Sequence, residues 1–213
     1  MWFPSPYPDE LFYSVLCRYY LSSGIKEHYL VKKQLFGTKA GVKMATLYPN
    51  AAVHAVLSQL PEGVFDGRDM ILHHTPFLYY ARMHPQQERE VLLDDLLQGR
   101  SKTPTHLWRT FPKGDYALRY CPLCIQEDTK IYGEAYYHVE HQIPLSSVCV
   151  RHRCRLKQIT IDNPRLALNN KFYPLSTMET DREPDMDVTA AELQVSELVR
   201  EYWRLPASVS PPA

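Results

Sequence analysis

Two short metal-ligand knuckles, separated by residues 125–148, constrain this chain most. Cys121-Pro-Leu-Cys124 is a C-x-x-C knuckle, and Cys149-Val-Arg-His152 is a C-x-x-H knuckle. Each knuckle forms a tight turn that directs two ligands at one point, and two such turns complete a tetrahedron with Zn–S bonds of about 2.3 Å. The spacing therefore predicts one structural Zn²⁺ held by Cys121, Cys124, Cys149 and His152.

The fourth ligand has rivals nearby in the sequence. Cys154 would make an all-cysteine site, and His138 and His141 are further candidates. The remaining cysteine, Cys17, falls on the inner face of a predicted helix and reads as a buried apolar residue. The N-terminus lacks the basic and apolar regions of a signal peptide. We therefore expect a reducing cytoplasm, where clustered cysteines favour metal binding over disulfides.

One catalytic pattern competes with a structural metal. His138-Val139-Glu140 matches the H-x-E of zinc deaminases, in which a C-x-x-C follows the H-x-E. Here the order is reversed, and Cys149 with His152 can close the coordination sphere, which leaves no place for an activated water. Nucleotide-binding glycine loops and the G-x-S-x-G elbow are also missing from the sequence. We expect a protein that is not an enzyme.

Charge is balanced overall but unevenly placed. Lys+Arg and Asp+Glu both number 24, so the chain has no net positive charge. This excludes non-specific binding of nucleic acid by the chain as a whole. Residues 26–43 hold five lysines and one acid, whereas residues 179–201 hold eight acids and two arginines. The longest uncharged stretch, 44–61, is broken by polar residues, so we expect no membrane span.

Hydrophobic periodicity predicts an α+β chain that is mainly α. Helices are predicted from a cap at Asp9 to Gly24, over 27–36, from Asn50 to Leu60, from Asp66 to about Pro76, over 86–98 and over 189–203. Alternating residues between 108 and 161 predict short strands. We expect a helical, helix-turn-helix-like module over 1–105 and a small zinc-ribbon-like module over 106–175. A linker, a packing helix and a loose tail follow over 176–213, with the helix docked through Leu193, Leu198 and Trp203.

Two separated motif blocks carry a family resemblance. The first is Phe3-Pro4-x-Pro6-Tyr7-x-Asp9-Glu10-Leu11-x-Tyr13-Ser14, then Arg18 and Gly24. The second is Arg119-Tyr120-Cys121-Pro122-x-Cys124, Tyr132-Gly133-Glu134-Ala135-Tyr136, His141-Gln142-x-Pro144-Leu145, Cys149-x-x-His152 and Leu156. In this order they resemble the TniQ/TnsD family of transposon target-selection proteins, with the TnsD branch the closer. The family pattern usually has Pro after the third ligand and Gly soon after the histidine, where this chain has Val150 and Arg153.

The resemblance implies a target-site selection adaptor for transposition. Such an adaptor recruits a TnsC-like AAA+ ATPase regulator to target DNA or to a CRISPR guide-RNA effector complex, in a bacterial cytoplasm and at the nucleoid when on target. The alternative is a zinc-stabilised, sequence-specific DNA-binding regulator without a transposon role.

Candidate binding residues follow from charge and residue type. Lys32 and Lys33 lie on the outer face of the second predicted helix, suited to phosphates. Arg151, Arg153 and Arg155 alternate with Lys157, so on a strand they would share one face. Because Tyr, Trp and Arg anchor protein interfaces, the candidate partner anchors are Trp2, Trp108, Tyr132 and Arg153.

Overall fold

Helices dominate the N-terminal half of the molecule. The computed structural model describes residues 2–37, 42–45, 47, 50–100 and 117–209. The helices of this half are α1 Phe12–Ser23, α2 His28–Phe36, α3 Ala52–Leu57, α4 Gly67–His73, α5 Phe77–Ala81 and α6 Gln86–Leu97.

The C-terminal half mixes short helices with very short strands. Its elements are β1 Arg119–Tyr120, α7 Pro122–Tyr132, α8 Val139–Gln142, β2 Val148–Cys149, β3 Cys154–Arg155, β4 Lys157–Gln158, α9 Pro164–Leu168, a 3₁₀ turn Leu175–Thr177 and α10 Ala190–Arg204. β1 pairs with β4, and β2 pairs with β3, both antiparallel. The prediction of a mainly helical chain with small strands is confirmed. The helix-turn-helix-like and zinc-ribbon-like descriptions stay predictions.

Local capping signals predicted several helix ends correctly. Gly24 ends α1 in the left-handed conformation, with φ 67°, which glycine adopts without a steric penalty. The Asp66 side chain accepts a hydrogen bond from the Arg68 amide at the start of α4. Thr189 and Glu192 form the predicted capping box of α10.

The predicted cap at Asp9 is wrong. Leu11 precedes the first turn of α1, and Asp9 has φ 59°. The Asp9 carboxylate instead lies 3.4 Å from Nδ1 of His138. The Asp9 side chain, which the local pattern predicted to cap α1, therefore contacts His138, a residue distant in sequence.

The region from 121 to 142 is more helical than the sequence indicated. α7 was not predicted, and the strands expected around Tyr136 to Val139 are reduced to one bridge between Glu10 and His138. There the Leu11 amide donates to the Tyr137 carbonyl at 2.7 Å, and the Val139 amide donates to the Asp9 carbonyl at 2.8 Å. The N-terminal segment therefore forms the backbone hydrogen bonds that a neighbouring strand would form in a hairpin.

One hydrophobic core runs through both halves of the chain. Phe12 and Leu16 of α1 are buried in the same cluster as Leu118, Tyr137 and Val139. The predicted division near residue 105 falls outside the described residues and stays a prediction. The shared core means that disturbing the C-terminal half exposes apolar surface of the N-terminal half.

The last helix, α10, docks by both apolar and polar contacts. Trp203 is buried, whereas Leu198, predicted to face inward, is 58% exposed. The buried Ser196 hydroxyl accepts hydrogen bonds from the Ser147 and Val148 amides, at 3.3 and 3.2 Å. α10 is therefore turned so that Ser196, and not Leu198, meets the body of the protein.

A buried arginine holds the segment after α10. Arg82 is 1% exposed, and its guanidinium donates to the carbonyls of Trp203, Leu205, Pro206 and Val209. Arg89 also donates to Val209, at 3.0 Å. Residues 206–209, part of the tail expected to be loose, are thus bonded to the body.

Among the residues that the structure describes, no helix has the length and apolar character needed to cross a membrane.

Candidate metal centre

Helix and strand ends position the four predicted ligands. Cys121 is the N-cap of α7, and its Sγ accepts a hydrogen bond from the Cys124 amide at 3.4 Å. Pro122 occupies the first turn, where its missing N–H costs nothing. Cys149 ends β2, and a turn closed by the Arg153 amide on the Cys149 carbonyl, at 2.7 Å, brings His152 back toward it. In each knuckle the chain therefore reverses direction, and the two ligand side chains point toward the same place.

The four donor atoms converge with tetrahedral spacing. Nδ1 of His152 lies 3.5 Å from Sγ of Cys121, 3.3 Å from Cys124 and 3.6 Å from Cys149. Sγ of Cys124 lies 3.8 Å from Sγ of Cys149. Zn–S bonds of about 2.3 Å and Zn–N bonds of about 2.0 Å in a tetrahedron require S–S spacings of about 3.8 Å and S–N spacings of about 3.5 Å. These four spacings match a tetrahedral zinc site, and the remaining two sulfur pairs lie within 4.8 Å.

The rival ligands lie beside the cluster and not within it. All four predicted donor atoms lie within 4.8 Å of one another, a grouping that does not include Cys154 or His141. Sγ of Cys154 is 3.4 Å from Sγ of Cys121, and Nε2 of His141 is 4.0 Å from Sγ of Cys124. Burial raises the pKa of Cys154 to about 12, so its S–H suits donation to the Cys121 sulfur.

Zinc binds the thiolate form of cysteine, and contacts within the cluster favour that form at Cys121 but oppose it at Cys124, whose pKa they raise. Hydrogen bonds from Cys124 and Cys149 hold the pKa of the Cys121 thiol well below its usual range. Three of the four ligands are buried. Four protein donors close the tetrahedron, which is the pattern of a structural and not a catalytic zinc site.

Glu127 is a functional neighbour that sequence reasoning missed. Its Oε2 lies 3.4 Å from Nε2 of His152 and 3.0 Å from a guanidinium nitrogen of Arg151. A carboxylate on the far ring nitrogen orients a ligating histidine and fixes its tautomer. The available signal was spacing, since Glu127 follows Cys124 by nearly one turn of α7.

The residues of the deaminase-like H-x-E pattern, His138 and Glu140, make contacts with other charged side chains of the fold. Nε2 of His138 lies 2.9 Å from Oδ2 of Asp128, and its Nδ1 faces Asp9. Glu140 accepts from Arg200 and Arg204 of α10, at 3.0 and 3.1 Å. The H-x-E residues therefore form ion pairs within the fold.

The two motif blocks meet in space. Arg18 of α1 donates to Glu10 at 2.9 Å and to Glu134 at 2.7 Å. Its guanidinium lies 3.7 Å from the ring centre of Tyr7, and that ring stacks on Tyr132 at 4.4 Å. These motif residues join the N-terminal helices to the end of α7.

Comparison with known proteins agrees with this arrangement. Residues 1–156 match the family model described as TniQ. The chain belongs to the TniQ family. It is also 27% identical over 155 residues to the Transposon Tn7 transposition protein TnsD of Escherichia coli. That similarity covers 70% of this chain and 30% of the relative, so the chain spans less than a third of the length of TnsD. These matches confirm the resemblance to the TniQ/TnsD family.

The predicted basic stripe does not share one strand face. Arg151 and Arg153 lie in the turn of the second knuckle, and Arg155 and Lys157 lie on separate short strands. Arg155 pairs with Glu192, Lys157 with Asp181, and Arg151 with Glu127. The turn interrupts the alternation that a continuous strand would have kept.

Other predicted binding residues differ in accessibility. Lys33 and Arg153 are exposed, whereas the Lys32 ammonium donates to the Asn169 carbonyl at 2.7 Å. Trp2 is 66% exposed, and Tyr132 is half-buried against Tyr7. Trp108 lies outside the described residues. The nucleic-acid and partner roles of these residues stay predictions.

Arg153 occupies a backbone position that favours glycine. Its φ is 51°, in the left-handed region that costs a non-glycine residue about 1 kcal/mol. We expect Arg153→Gly to keep the metal and to raise the free energy of unfolding by about 0.5 kcal/mol, after the entropy of glycine in the unfolded chain is subtracted. Urea denaturation measures the change. Arg151→Gly is the matched control and should destabilise, because it loses the pair with Glu127. Equal destabilisation by both changes would contradict the assignment of strain to Arg153.

Proposed function

We propose that this protein is a non-enzymatic target-selection adaptor in transposition, which recruits an AAA+ transposition regulator to target DNA. The observation that carries the proposal is the TniQ match over 1–156, supported by the similarity to a Tn7 transposition protein. In this proposal the zinc is structural and holds the second motif block in register with the first. Recruitment to a CRISPR effector complex is the RNA-guided form of the same role.

An exposed apolar face on α10 suits a protein partner. Val195 is 44% exposed and Leu198 58%, at helical spacing with Tyr202. The Tyr202 hydroxyl donates to the sulfur of Met83, at 3.6 Å, and Met83 is 72% exposed. These four side chains form a neighbouring apolar set, which we call the α10 stripe. A contiguous exposed apolar patch is typical of an interaction site.

The charge beside the α10 stripe indicates what kind of partner fits it. Glu197 and Glu201 lie beside the stripe on the same helix, and within the described residues neither lies at ion-pair distance from a cation. Acidic side chains around an apolar stripe complement an amphipathic segment with basic flanks. We propose that the regulator presents such a segment to α10. Trp2, Tyr132 and Arg153 remain candidate anchors of the same partner.

A recruitment assay tests the proposed function. We expect the protein to bind the cognate AAA+ regulator assembled on DNA at ~150 mM salt, a physiological ionic strength. Val195→Ser/Leu198→Ser should weaken that binding about tenfold or more, because central apolar contacts contribute about 1 kcal/mol or more each. Val91→Ser/Leu166→Ser is the control, since both residues are exposed and lie on other helices. Sequence-specific binding to bare DNA, without any binding to the regulator, would overturn the adaptor and favour the autonomous DNA-binding regulator.

A further inference from the structure

Tertiary contacts bring three separate basic segments of the chain together. The Lys32 ammonium of α2 donates to the Asn169 carbonyl, at 2.7 Å, just after α9. The Phe172 amide donates to Nδ1 of His28, at 3.1 Å, and the Ala45 amide donates to Oδ1 of Asn169, at 3.3 Å. α2 and residues 42–45 therefore both adjoin the segment at the end of α9, which lies more than 100 residues further along the chain.

These segments carry five exposed cations, which we call the α2–α9 basic face: Lys26, Lys33, Lys43, Arg165 and Lys171. The hydrogen bond from the Phe172 amide to His28 places the adjacent Lys171 beside α2, and burial and the Lys171 ammonium lower the pKa of His28. Tyr20 links Lys26 to the segment after α9. Its hydroxyl donates to the Lys26 carbonyl, and its ring stacks on Phe172.

The charge of this face is not compensated as it is elsewhere. Ion pairs with carboxylates engage many cations outside it: Arg18, Arg68, Arg100, Arg151, Arg155, Lys157, Arg200 and Arg204. Within the described ranges, none of the five cations of the basic face has a carboxylate within ion-pair distance. Glu27 and Asp162 adjoin the face in sequence, so it keeps a net positive charge. The chain has equal numbers of acidic and basic residues overall, but the α2–α9 basic face has more cations than carboxylates.

We propose that the α2–α9 basic face binds the phosphate backbone of duplex DNA. The proposal rests on the proposed function, because target selection requires a contact with DNA. Backbone contacts come from Lys and Arg side chains and from polar donors. The face offers such a donor in the exposed Tyr29 hydroxyl. It positions the duplex without reading its sequence.

The number of cations sets the expected salt dependence. Five phosphate contacts give a slope of about −4.5 in log affinity against log salt, since each contact contributes about −0.9. A fourfold rise in salt then lowers the affinity about 500-fold. Binding should be measurable at low salt and weak at physiological salt, which is why the AAA+ regulator is needed for stable engagement.

Fluorescence anisotropy on a labelled duplex of about 20 base pairs, two helical turns, tests the face. We expect Lys33→Glu/Lys171→Glu to weaken binding at least tenfold at low salt and to reduce the salt slope by about 2. Lys130→Glu/Arg182→Glu is the matched control, with the same change in net charge at exposed residues outside the face. The control should change affinity less than about threefold. Thermal unfolding of both variants checks that the fold is kept.

The possible results distinguish a failure of the α2–α9 basic face from a failure of the proposed adaptor function. An equal loss in both double variants would show a net-charge effect and overturn the face. Stronger binding to single-stranded RNA than to the duplex would overturn the choice of ligand. If regulator recruitment persists while Lys33→Glu/Lys171→Glu binds DNA like wild type, the face is wrong and the adaptor stands. If wild type binds neither duplex nor regulator, the proposed function fails.

Discussion

Replacing Cys121 with serine is expected to abolish metal binding and to unfold the chain well beyond the knuckles. Binding free energies of structural zinc in small domains reach about 10–16 kcal/mol, comparable to or larger than the stability of a typical domain, about 5–15 kcal/mol. Cys121 also caps α7. Because Tyr120 and Ile125 beside the ligands belong to the common core, the N-terminal helices should lose stability too.

Metal analysis and thermal unfolding measure this effect. Cys154→Ser is the control: Cys154 lies 3.4 Å from Cys121 in the same buried cluster but outside the converging set. It should retain one zinc per chain, with a smaller loss of stability. A metal-free Cys121→Ser protein that unfolds at the wild-type temperature would show that the cluster is not a structural zinc site. Loss of zinc in Cys154→Ser would make Cys154 the fourth ligand.

Replacing His138 with glutamine is expected to cost about 3 kcal/mol at neutral pH, the scale of breaking a buried ion pair. His138 lies between the Asp128 and Asp9 carboxylates, at 2.9 and 3.4 Å. Burial disfavours the charged ring, but hydrogen bonds to Asp128 and Asp9 outweigh it and raise the pKa of His138 to about 10. Glutamine can still donate one hydrogen bond, but it leaves two buried carboxylates without a cation.

The same group predicts a dependence of stability on pH. Because the pKa is higher in the folded chain than the ordinary value of about 6.5, the stabilisation is complete below about pH 6.5 and is lost as pH rises toward 10. The His138 contribution to the free energy of unfolding should fall by about 1.4 kcal/mol per pH unit between these limits. Urea denaturation at several pH values should show this slope in wild type and its loss in His138→Gln.

A surface histidine provides the control for this measurement. His73 is exposed, and its nearest carboxylate, on Asp69, is 3.8 Å away. His73→Gln should change stability by no more than about 0.5 kcal/mol, as exposed substitutions usually do. A urea midpoint for His138→Gln equal to that of wild type at pH 7 would show that the ring is not a buried cation in the folded protein.

Sequence reasoning worked best where chemistry acts over a few residues. The two knuckles predicted a ligand set that converges in the structure, because C-x-x-C and C-x-x-H impose their geometry locally. Gly24, Asp66 and the Thr189 capping box were predictable for the same reason. Asp9 shows the limit of such signals, since a distant histidine competed successfully for its carboxylate.

Contacts between distant segments were beyond that reasoning. The alternation around Tyr136 predicts a strand, but in the structure only a single bridge to the N-terminal segment forms there. Leu198 fits an inward position by periodicity, yet the packing of Ser196 on Ser147 and Val148 turns α10 the other way. Periodicity finds two faces of a helix but does not say which side of a partly apolar surface meets the core.

The converging Cys/His set, the mainly helical class and the TniQ family could all be predicted from the sequence, because each depends on residue types at short and regular spacing. Which charges are neutralised depends on the tertiary structure. It pairs Arg155 with Glu192 and Lys157 with Asp181, and within the described residues it leaves Lys33 and Lys171 without a carboxylate at ion-pair distance. The physical reason is that electrostatic interaction depends on distance in space and on burial, and neither can be read from the order of charges along the chain.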